Sequence, residues 1–312
     1  MIVYVSTRPP SASWDAHLNP TAFDRAGLAD EIGRVISSGA RRIVLGEFAR
    51  AQLGMDLVPG VVTERVGIDW LYDPGLDGPS SVGHLPAGPW TFDESVTRVF
   101  DDMLRRSVPQ LEVMRAAVVE AASRFVDNTK ARVLDVGCSR GQQLAATLVA
   151  NPGWTASAFD RSVPMVAAAR AELARFGDRV SVELRDAITD GIPGDDVDVV
   201  LLVLTMQFIA PSQRVELLRR LRRRTTSSGC IVVVEKVDAG GEFVDAYHAM
   251  KRRNGYTDAE IRAKAESLVG VLVPWTAAAN EQALVDAGWA RPECFWRWFN
   301  FAAWVARPAP RG

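Results

Sequence analysis

The stretch Val133-Leu134-Asp135-Val136-Gly137-Cys138-Ser139-Arg140-Gly141 decides the fold class of this chain. A strand over Arg132–Val136 is predicted to end at two nearby glycines, and a helix over Gln142–Ala150 follows them. Glycines let the backbone approach a ligand closely, and the N-terminus of a helix favours a carboxylate or another anion. The stretch therefore predicts a strand, a loop and a helix that together form a ligand-binding unit.

Strands and helices alternate in the sequence beyond this unit. Apolar runs predict strands at Thr155–Phe159, Val180–Leu184, Val197–Leu204 and Ile231–Val234, and helical spacing predicts helices at Pro164–Phe176 and Arg214–Arg224. The run Val197–Leu204 is apolar after Asp198, which is typical of a strand buried on both faces. This alternation predicts an α/β fold with a doubly wound, mostly parallel seven-stranded sheet of Rossmann-like type. The aromatic run Cys294–Val305 is expected to be a strand near the sheet edge, in antiparallel orientation.

Two domains are predicted. Residues 1–85 form an N-terminal extension of unknown role, with strands at Ile2–Val5 and Ile43–Leu45, a helix at Phe23–Ser37 and turn residues over 73–89. Residues 86–308 form the ligand-binding domain. They begin with two helices over 91–126, and two more helical stretches are expected between residue 242 and the aromatic run.

The composition excludes several classes of protein. The net charge is −2, so no excess of cations favours stable binding to nucleic acid. No apolar run approaches the about 20 residues that cross a bilayer, and no signal peptide is recognisable at the N-terminus. The three cysteines are far apart and predict neither a disulfide framework nor a metal site. We expect a cytoplasmic protein that acts on a small molecule away from membranes.

Acidic residues follow three successive predicted strands. Asp135 lies two residues before Gly137, Asp160 ends the next strand, and Asp186 follows the third. A loop without a ligand, or acids that only cap helices, would explain each feature alone. Three acids in register favour a ligand crevice, and this pattern suits S-adenosylmethionine, with Asp135 near its ammonium, Asp160 near its ribose and Asp186 near its adenine. The predicted cofactor-binding residues here are Asp135, Gly137, Cys138, Ser139, Gly141, Asp160, Arg161, Asp186 and Ala187.

Motifs outside the glycine loop carry a family resemblance. These are Trp90–Glu94, Phe100–Met103, Arg106–Pro109, Thr205–Ser212, Glu235–Lys236, Lys251–Tyr256 and Phe299–Phe301. Over about residues 86–306 the chain resembles the carboxy-S-adenosylmethionine synthase family, whose fold is that of class I methyltransferases. The resemblance implies a homodimer and the synthesis of a carboxylated S-adenosylmethionine from prephenate, for wobble-uridine modification of tRNA.

Three positions depart from that family. Leu111 replaces a tyrosine, Val203 replaces an asparagine at a cofactor-binding position, and Ala265 replaces the arginine that pairs with the extra carboxylate. A buried carboxylate without its cation costs several kcal/mol, and Arg262 or Lys264 would have to reach it from another turn or face of the helix. We therefore predict that ordinary S-adenosylmethionine is bound and that the carboxylated form is not.

The leading hypothesis is a methyltransferase that C-methylates a 2-oxo acid. Arg106, Lys251 and Arg252 are predicted to bind the substrate carboxylate, His248 to remove a proton, and Tyr256 to stabilise the enolate oxygen. His248 on a helix surface, and Lys251 and Arg252 on a solvated face, are the alternatives for these residues. Two other functions stay open: a carboxy-S-adenosylmethionine synthase that tolerates the changes, and a non-catalytic nucleotide-binding scaffold.

Overall fold

The structure is a computed structural model. It describes residues 90–310 without a gap, together with Arg34 and five short strands within the first 72 residues. The chain divides into two compact units, one made of Met1–Ser80 with Arg252–Thr257 and the other of Ser81–Lys251 with Asp258–Gly312.

The first unit contains a five-stranded sheet. Its strands are β1 (Ile2–Val5), β2 (Ala16–Leu18), β3 (Arg42–Leu45), β4 (Thr63–Val66) and β5 (Asp69–Tyr72), in the order β2-β1-β3-β5-β4. Strand β1 runs parallel to both neighbours, and β5 runs antiparallel to β3 and β4. The predicted strands β1 and β3 are confirmed, whereas β2, β4 and β5 were missed. Apart from Arg34, which is helical, the predicted helix at Phe23–Ser37 lies outside the described residues, as do the turns at 73–89.

The second unit is built on a seven-stranded sheet. Its strands are β6 (Arg132–Val136), β7 (Thr155–Asp160), β8 (Val180–Leu184), β9 (Val197–Val203), β10 (Thr225–Lys236), β11 (Glu293–Trp298) and β12 (Phe301–Ala306). They lie in the order β11-β12-β10-β9-β6-β7-β8. Strands β6 to β10 pair in parallel, and β12 runs antiparallel to β10 and β11. The predicted mostly parallel α/β sheet with an antiparallel strand near its edge is confirmed.

Eight α-helices belong to the part of the chain from residue 90 to residue 310. They are α1 (Glu94–Ser107), α2 (Leu111–Phe125), α3 (Gln142–Ala150), α4 (Val163–Leu173), α5 (Pro211–Arg224), α6 (Gly241–Arg253), α7 (Asp258–Ser267) and α8 (Ala277–Asp286). Helices α6, α7 and α8 occupy the region where only two helical stretches were predicted. No helix among the described residues is long and apolar enough to cross a membrane.

Alternation along the central strands places one set of side chains on each face of the sheet. Val199 and Leu201 of β9 pack into one hydrophobic cluster, whereas Val200 and Leu202 pack into another. Each burial of such a side chain contributes roughly 1.5–3 kcal/mol to folding. Cys230 at the start of the apolar part of β10 is fully buried, which raises the pKa of its thiol to about 12.

The strand order creates a crevice above β6. From β6 the chain runs outward through β7 and β8, and it then returns to the other side of β6 to form β9. In open sheets of this kind, ligands bind at the carboxyl ends of the strands where the order reverses. The loops after β6, β7, β8 and β9 therefore meet at one edge of the sheet.

Candidate functional site

A cavity of about 850 Å³ opens at this edge of the sheet. The described residues that line it lie in the second unit, mainly on the loops after the parallel strands and on helices α1, α2, α3, α6 and α7. Ligand pockets of small-molecule enzymes commonly measure about 300–1,000 Å³, so the space suits a nucleoside ligand together with a small substrate.

The loop after β6 takes a conformation that requires glycine at its start. Gly137 has a φ of +73°, and an added Cβ would lie 2.6 Å from Cγ2 of Thr205. The N–H groups of Gly137 and Cys138 donate to the carbonyl oxygen of Phe159 at 2.9 and 3.0 Å. These bonds tie the loop to β7, and a side chain at position 137 would disturb them because it would collide with Thr205 after β9.

Asp135, which is buried, and Asp160, which is half-buried, form an acidic pair in the cavity lining. Asp160 accepts hydrogen bonds from the backbone N–H groups of Ser139 and Ser162, each at 2.9 Å. Asp135 is 3% exposed, and burial together with the nearby charge of Asp160 raises its pKa to about 7. Burial also raises the pKa of Asp160. A ligand that brings a cation would relieve this concentration of negative charge.

The other predicted cofactor residues also surround the cavity. Asp186 lines it, and its Oδ1 accepts from the backbone N–H of Ile188 at 2.7 Å. Gly141 does not line it. A Cβ at Gly141 would lie 2.9 Å from Cδ1 of Leu173, so this glycine lets helix α3 pack closely behind the loop. The remaining predicted positions that line the cavity are Gly137, Cys138, Ser139, Arg161, Ala187 and Val203.

Glu235 holds the loop after β9, a role that the sequence analysis missed. The carboxylate of Glu235 is 1% exposed and accepts from the backbone N–H groups of Met206 and Gln207 at 2.8 and 2.9 Å. Gln207 in turn accepts from the backbone N–H of Lys236 at 3.2 Å. Arg214 supports the same loop by donating to the carbonyl oxygen of Ile209 at 2.9 Å. The sequence feature that could have indicated this role is a glutamate directly after the apolar residues of a strand.

Three buried or half-buried lysines also line the cavity. The ammonium groups of Lys236 and Lys251 lie 4.7 and 5.4 Å from the ring centre of Tyr247. Lys264 is 5% exposed, and its ammonium donates to the hydroxyl of Ser107 at 3.3 Å. Burial lowers the pKa of all three lysines, that of Lys251 to about 8, and the neighbouring lysines lower the pKa of Lys251 and Lys264 further. Only Lys251 was among the predicted site residues.

Lys264 meets the condition that was set for a substitute cation. It was expected to reach the site only from another turn or face of α7. Both Lys264 and its neighbour Ala265 line the cavity, although Ala265 is the more exposed of the two. The wall that lacks the arginine of the resembling family therefore still carries a cation.

Two of the predicted substrate or catalytic residues reach the cavity, and three do not. His248 and Lys251 line it. Arg106 is buried elsewhere, where its Nε donates to Oδ1 of Asp102 one helical turn earlier at 2.9 Å. Arg252 and Tyr256 do not line the cavity, and they fall in the segment that groups with residues 1–80. The predicted roles of these three residues at the cavity are therefore not supported.

The sheet order and the cavity define the fold of S-adenosylmethionine-dependent methyltransferases. Residues 133–229 match the family model described as a methyltransferase domain. The methyltransferase SibL aligns with a TM-score of 0.50 and 20% identity, over 71% of this chain and 64% of that one. An O-methyltransferase family protein from Burkholderia thailandensis aligns with a TM-score of 0.52 and 17% identity, over 70% and 61% of the two chains. These likenesses establish the fold.

Curated relatives define the family. The carboxy-S-adenosyl-L-methionine synthase of Methylococcus capsulatus is 36% identical over 223 residues, which cover 69% of this chain and 92% of the relative. The enzyme of the same name from Wolinella succinogenes is 34% identical over 232 residues, with coverage of 69% and 92%. The chain belongs to the carboxy-S-adenosyl-L-methionine synthase family. It is an S-adenosylmethionine-dependent enzyme, as the resemblance implied.

Proposed function

We propose that this protein makes carboxy-S-adenosylmethionine, with an anionic 2-oxo acid such as prephenate as the carboxyl donor. The observation that carries the proposal is the position of Lys264 in the cavity wall beside Ala265. The sequence argument against this reaction was the missing cation at position 265. A buried lysine one residue away weakens that argument, because its ammonium group can pair with a carboxylate in the same space.

Different residues of the cavity are expected to bind the cofactor and the carboxyl donor. Asp135, Asp160 and Asp186 are expected to bind the ammonium, the ribose hydroxyls and the adenine amino group of S-adenosylmethionine. The sulfonium of the bound cofactor makes its methyl group both transferable and unusually acidic. Lys236 and Lys251, together with Lys264, would bind and orient the carboxylates of the donor. Anion binding also restores the charged form of these lysines, whose pKa values burial lowers.

Methylation of a 2-oxo acid at carbon is the second candidate. It is favoured by the three positions at which the chain departs from the resembling family, because Leu111, Val203 and Ala265 all line the cavity. An apolar wall suits a methyl group better than a carboxylate. In this reaction the same lysines would hold the substrate carboxylate, and His248 would accept the proton from the carbon beside the ketone.

We further infer a cytoplasmic homodimer without stable binding to nucleic acid. The net charge of −2 supports the last point, and the family resemblance supports the dimer. Residues 1–85 would then be an addition to the catalytic domain. The scaffold hypothesis is not retained, because the chain belongs to a family of enzymes.

The test is to incubate the purified full-length protein with S-adenosylmethionine and either prephenate or a panel of other 2-oxo acids. Products are identified by mass spectrometry. Carboxy-S-adenosylmethionine formed only with prephenate would support the first reaction. S-adenosylhomocysteine formed together with a C-methylated acid would contradict it and support the second. Turnover with neither class of acid would contradict both.

A further inference from the structure

The direction in which the cofactor lies follows from the sheet order. Asp186 follows β8, Asp160 ends β7 and Asp135 lies near the end of β6, and these strands are adjacent in that order. A cofactor with its adenine at Asp186 and its ribose at Asp160 therefore directs its amino acid towards the loop after β6. Helices α2 and α3 close the cavity on that side.

Helix α2 presents one guanidinium group to this end of the cavity. Arg115 lines the cavity and is 16% exposed, and its Nη2 donates to Oε1 of Gln142 at 3.1 Å. Its Nη1 lies 3.0 Å from Oε1 of Glu112. The carboxylate of Glu112 is 42% exposed, so solvent screens its charge more than that of the arginine. The guanidinium is thus held in one orientation beside the site of the amino acid.

Gln143 supplies a hydrogen-bond acceptor next to this arginine. Its Nε2 donates to the carbonyl oxygen of Arg115 at 3.3 Å, which fixes the direction of the amide. Gln143 also lines the cavity, and its Oε1 is buried and has no hydrogen-bond partner among the described residues. A buried acceptor of this kind is unfavourable unless a ligand donates to it.

Leu111, one of the three positions at which the chain departs from the family, lies on the same helix as Arg115. Leu111 and Arg115 are four residues apart on α2, so they lie on one face of the helix, and both line the cavity. The resembling family has a tyrosine at position 111. A leucine there removes a hydroxyl from the wall, and Arg115 provides a polar group one turn further along.

We infer that Arg115 binds the α-carboxylate of S-adenosylmethionine and that Gln143 accepts a hydrogen bond from its α-ammonium. A guanidinium binds a carboxylate through two parallel hydrogen bonds, which a tyrosine hydroxyl cannot do. Asp135 complements the same ammonium from the floor of the cavity. Arg140 also lines the cavity, and its Nη1 contacts Asp101 at 3.0 Å and the carbonyl oxygen of Thr97 at 3.2 Å.

The experiment compares two ligands that differ in the amino-acid part. S-adenosylhomocysteine carries it, and 5′-methylthioadenosine lacks it. Calorimetric titration of Arg115→Met should show an affinity for S-adenosylhomocysteine that is about ten- to a hundredfold weaker, with the affinity for methylthioadenosine unchanged. Arg124→Met is the matched control, since Arg124 lies on the same helix, is 78% exposed and pairs with Glu120. It should change neither affinity.

Two more variants keep the inference testable if Arg115→Met folds poorly. Arg115→Lys keeps the charge without the paired donors and should show a smaller selective loss. Leu111→Tyr combined with Arg115→Met should regain part of the affinity for S-adenosylhomocysteine. An unchanged affinity for this ligand in Arg115→Lys and Arg115→Met, or an equal loss for both ligands, would overturn the assignment. None of these titrations requires turnover, so they remain decisive whichever reaction the protein catalyses.

Discussion

The carboxylate of Asp160 accepts a hydrogen bond from the backbone N–H of Ser139, with 2.9 Å between Oδ2 and the nitrogen. This bond joins the end of β7 to the glycine loop that follows β6. The other oxygen accepts from the backbone N–H of Ser162, at the start of α4. Asp160 therefore shapes the loop at one end of the cavity in addition to the role predicted for it at the ribose.

Asp160→Ala should abolish measurable binding of S-adenosylmethionine. The ribose hydroxyls lose their acceptor, and the Ser139 loop loses its tie, each lost charged hydrogen bond costing about 1.5–3 kcal/mol. Asp160→Asn keeps one acceptor oxygen and should lose less. Calorimetry checks both variants against Asp178→Asn, an exposed aspartate. An affinity of Asp160→Ala within twofold of the unchanged protein would refute the assignment.

Cofactor affinity should rise with pH through the pKa of Asp135. Burial and the charge of Asp160 raise this pKa to about 7 in the protein without ligand. The cationic ammonium of the cofactor favours the ionised carboxylate, so binding releases a proton when Asp135 is initially protonated. Linkage then predicts binding about tenfold weaker at pH 6 than at pH 8. Titrations at several pH values should show this slope, and Asp135→Asn should remove it. A flat profile for the unchanged protein would contradict the role of Asp135.

Lys264→Met should weaken binding of the anionic substrate without affecting the cofactor. The variant keeps most of the apolar stem of the side chain and removes the ammonium group that faces the cavity. We expect KM for the acid that is turned over to rise about tenfold or more, since a hydrogen bond to a charged group contributes about 1.5–3 kcal/mol. The affinity for S-adenosylhomocysteine should stay within twofold. Lys130→Met, at an exposed position, is the control. A Lys264→Met variant with unchanged KM would remove the main support for the proposed synthase reaction.

Ala265→Arg should improve binding of carboxy-S-adenosylmethionine. A second cation beside Lys264 offers the extra carboxylate a paired contact worth roughly ten- to a hundredfold in affinity. Ordinary S-adenosylmethionine should gain nothing, because its methyl group offers no partner to the new side chain. Ala263→Arg places the same charge at an exposed position of α7 outside the cavity lining. If both arginine variants gained the same affinity for carboxy-S-adenosylmethionine, the effect would be long-range electrostatic attraction. A specific contact at position 265 would then be contradicted.

Glu235→Gln should destabilise the fold. The carboxylate accepts from two backbone N–H groups, and an amide can offer an oxygen to only one of them. The amide nitrogen would face the other donor in a fully buried position, at a cost of about 1–3 kcal/mol. Chemical denaturation measures this change in the free energy of unfolding. Glu216→Gln, at a side chain that is 52% exposed, should change it by less than about 0.5 kcal/mol. A Glu235→Gln variant of unchanged stability would mean that Glu235 does not hold the loop.

The sequence by itself determined the sheet and the floor of the cavity. Strands β6 and β8 and helix α3 begin and end at the predicted residues, because hydrophobic spacing and glycine position act over a few neighbouring residues. The three acids were found for the same reason. Parallel strands all end at one edge of the sheet, so acids at the ends of neighbouring strands lie close to one another. This proximity can be predicted even when the packing of the helices is unknown.

Only the tertiary structure decided which cations face the cavity. Lys236, Lys251 and Lys264 come from three separate elements, β10, α6 and α7. Each residue along a helix turns its side chain by about 100°, so the direction of Lys251 or Arg252 depends on how the helix is rotated against its neighbours. Sequence spacing cannot supply that rotation, because it is set by the packing of the whole core. For this reason Lys264 was not among the predicted site residues, Arg106 does not line the cavity although it was predicted to bind the substrate, and the arrangement of Arg115 with Gln143 became apparent only from the folded chain.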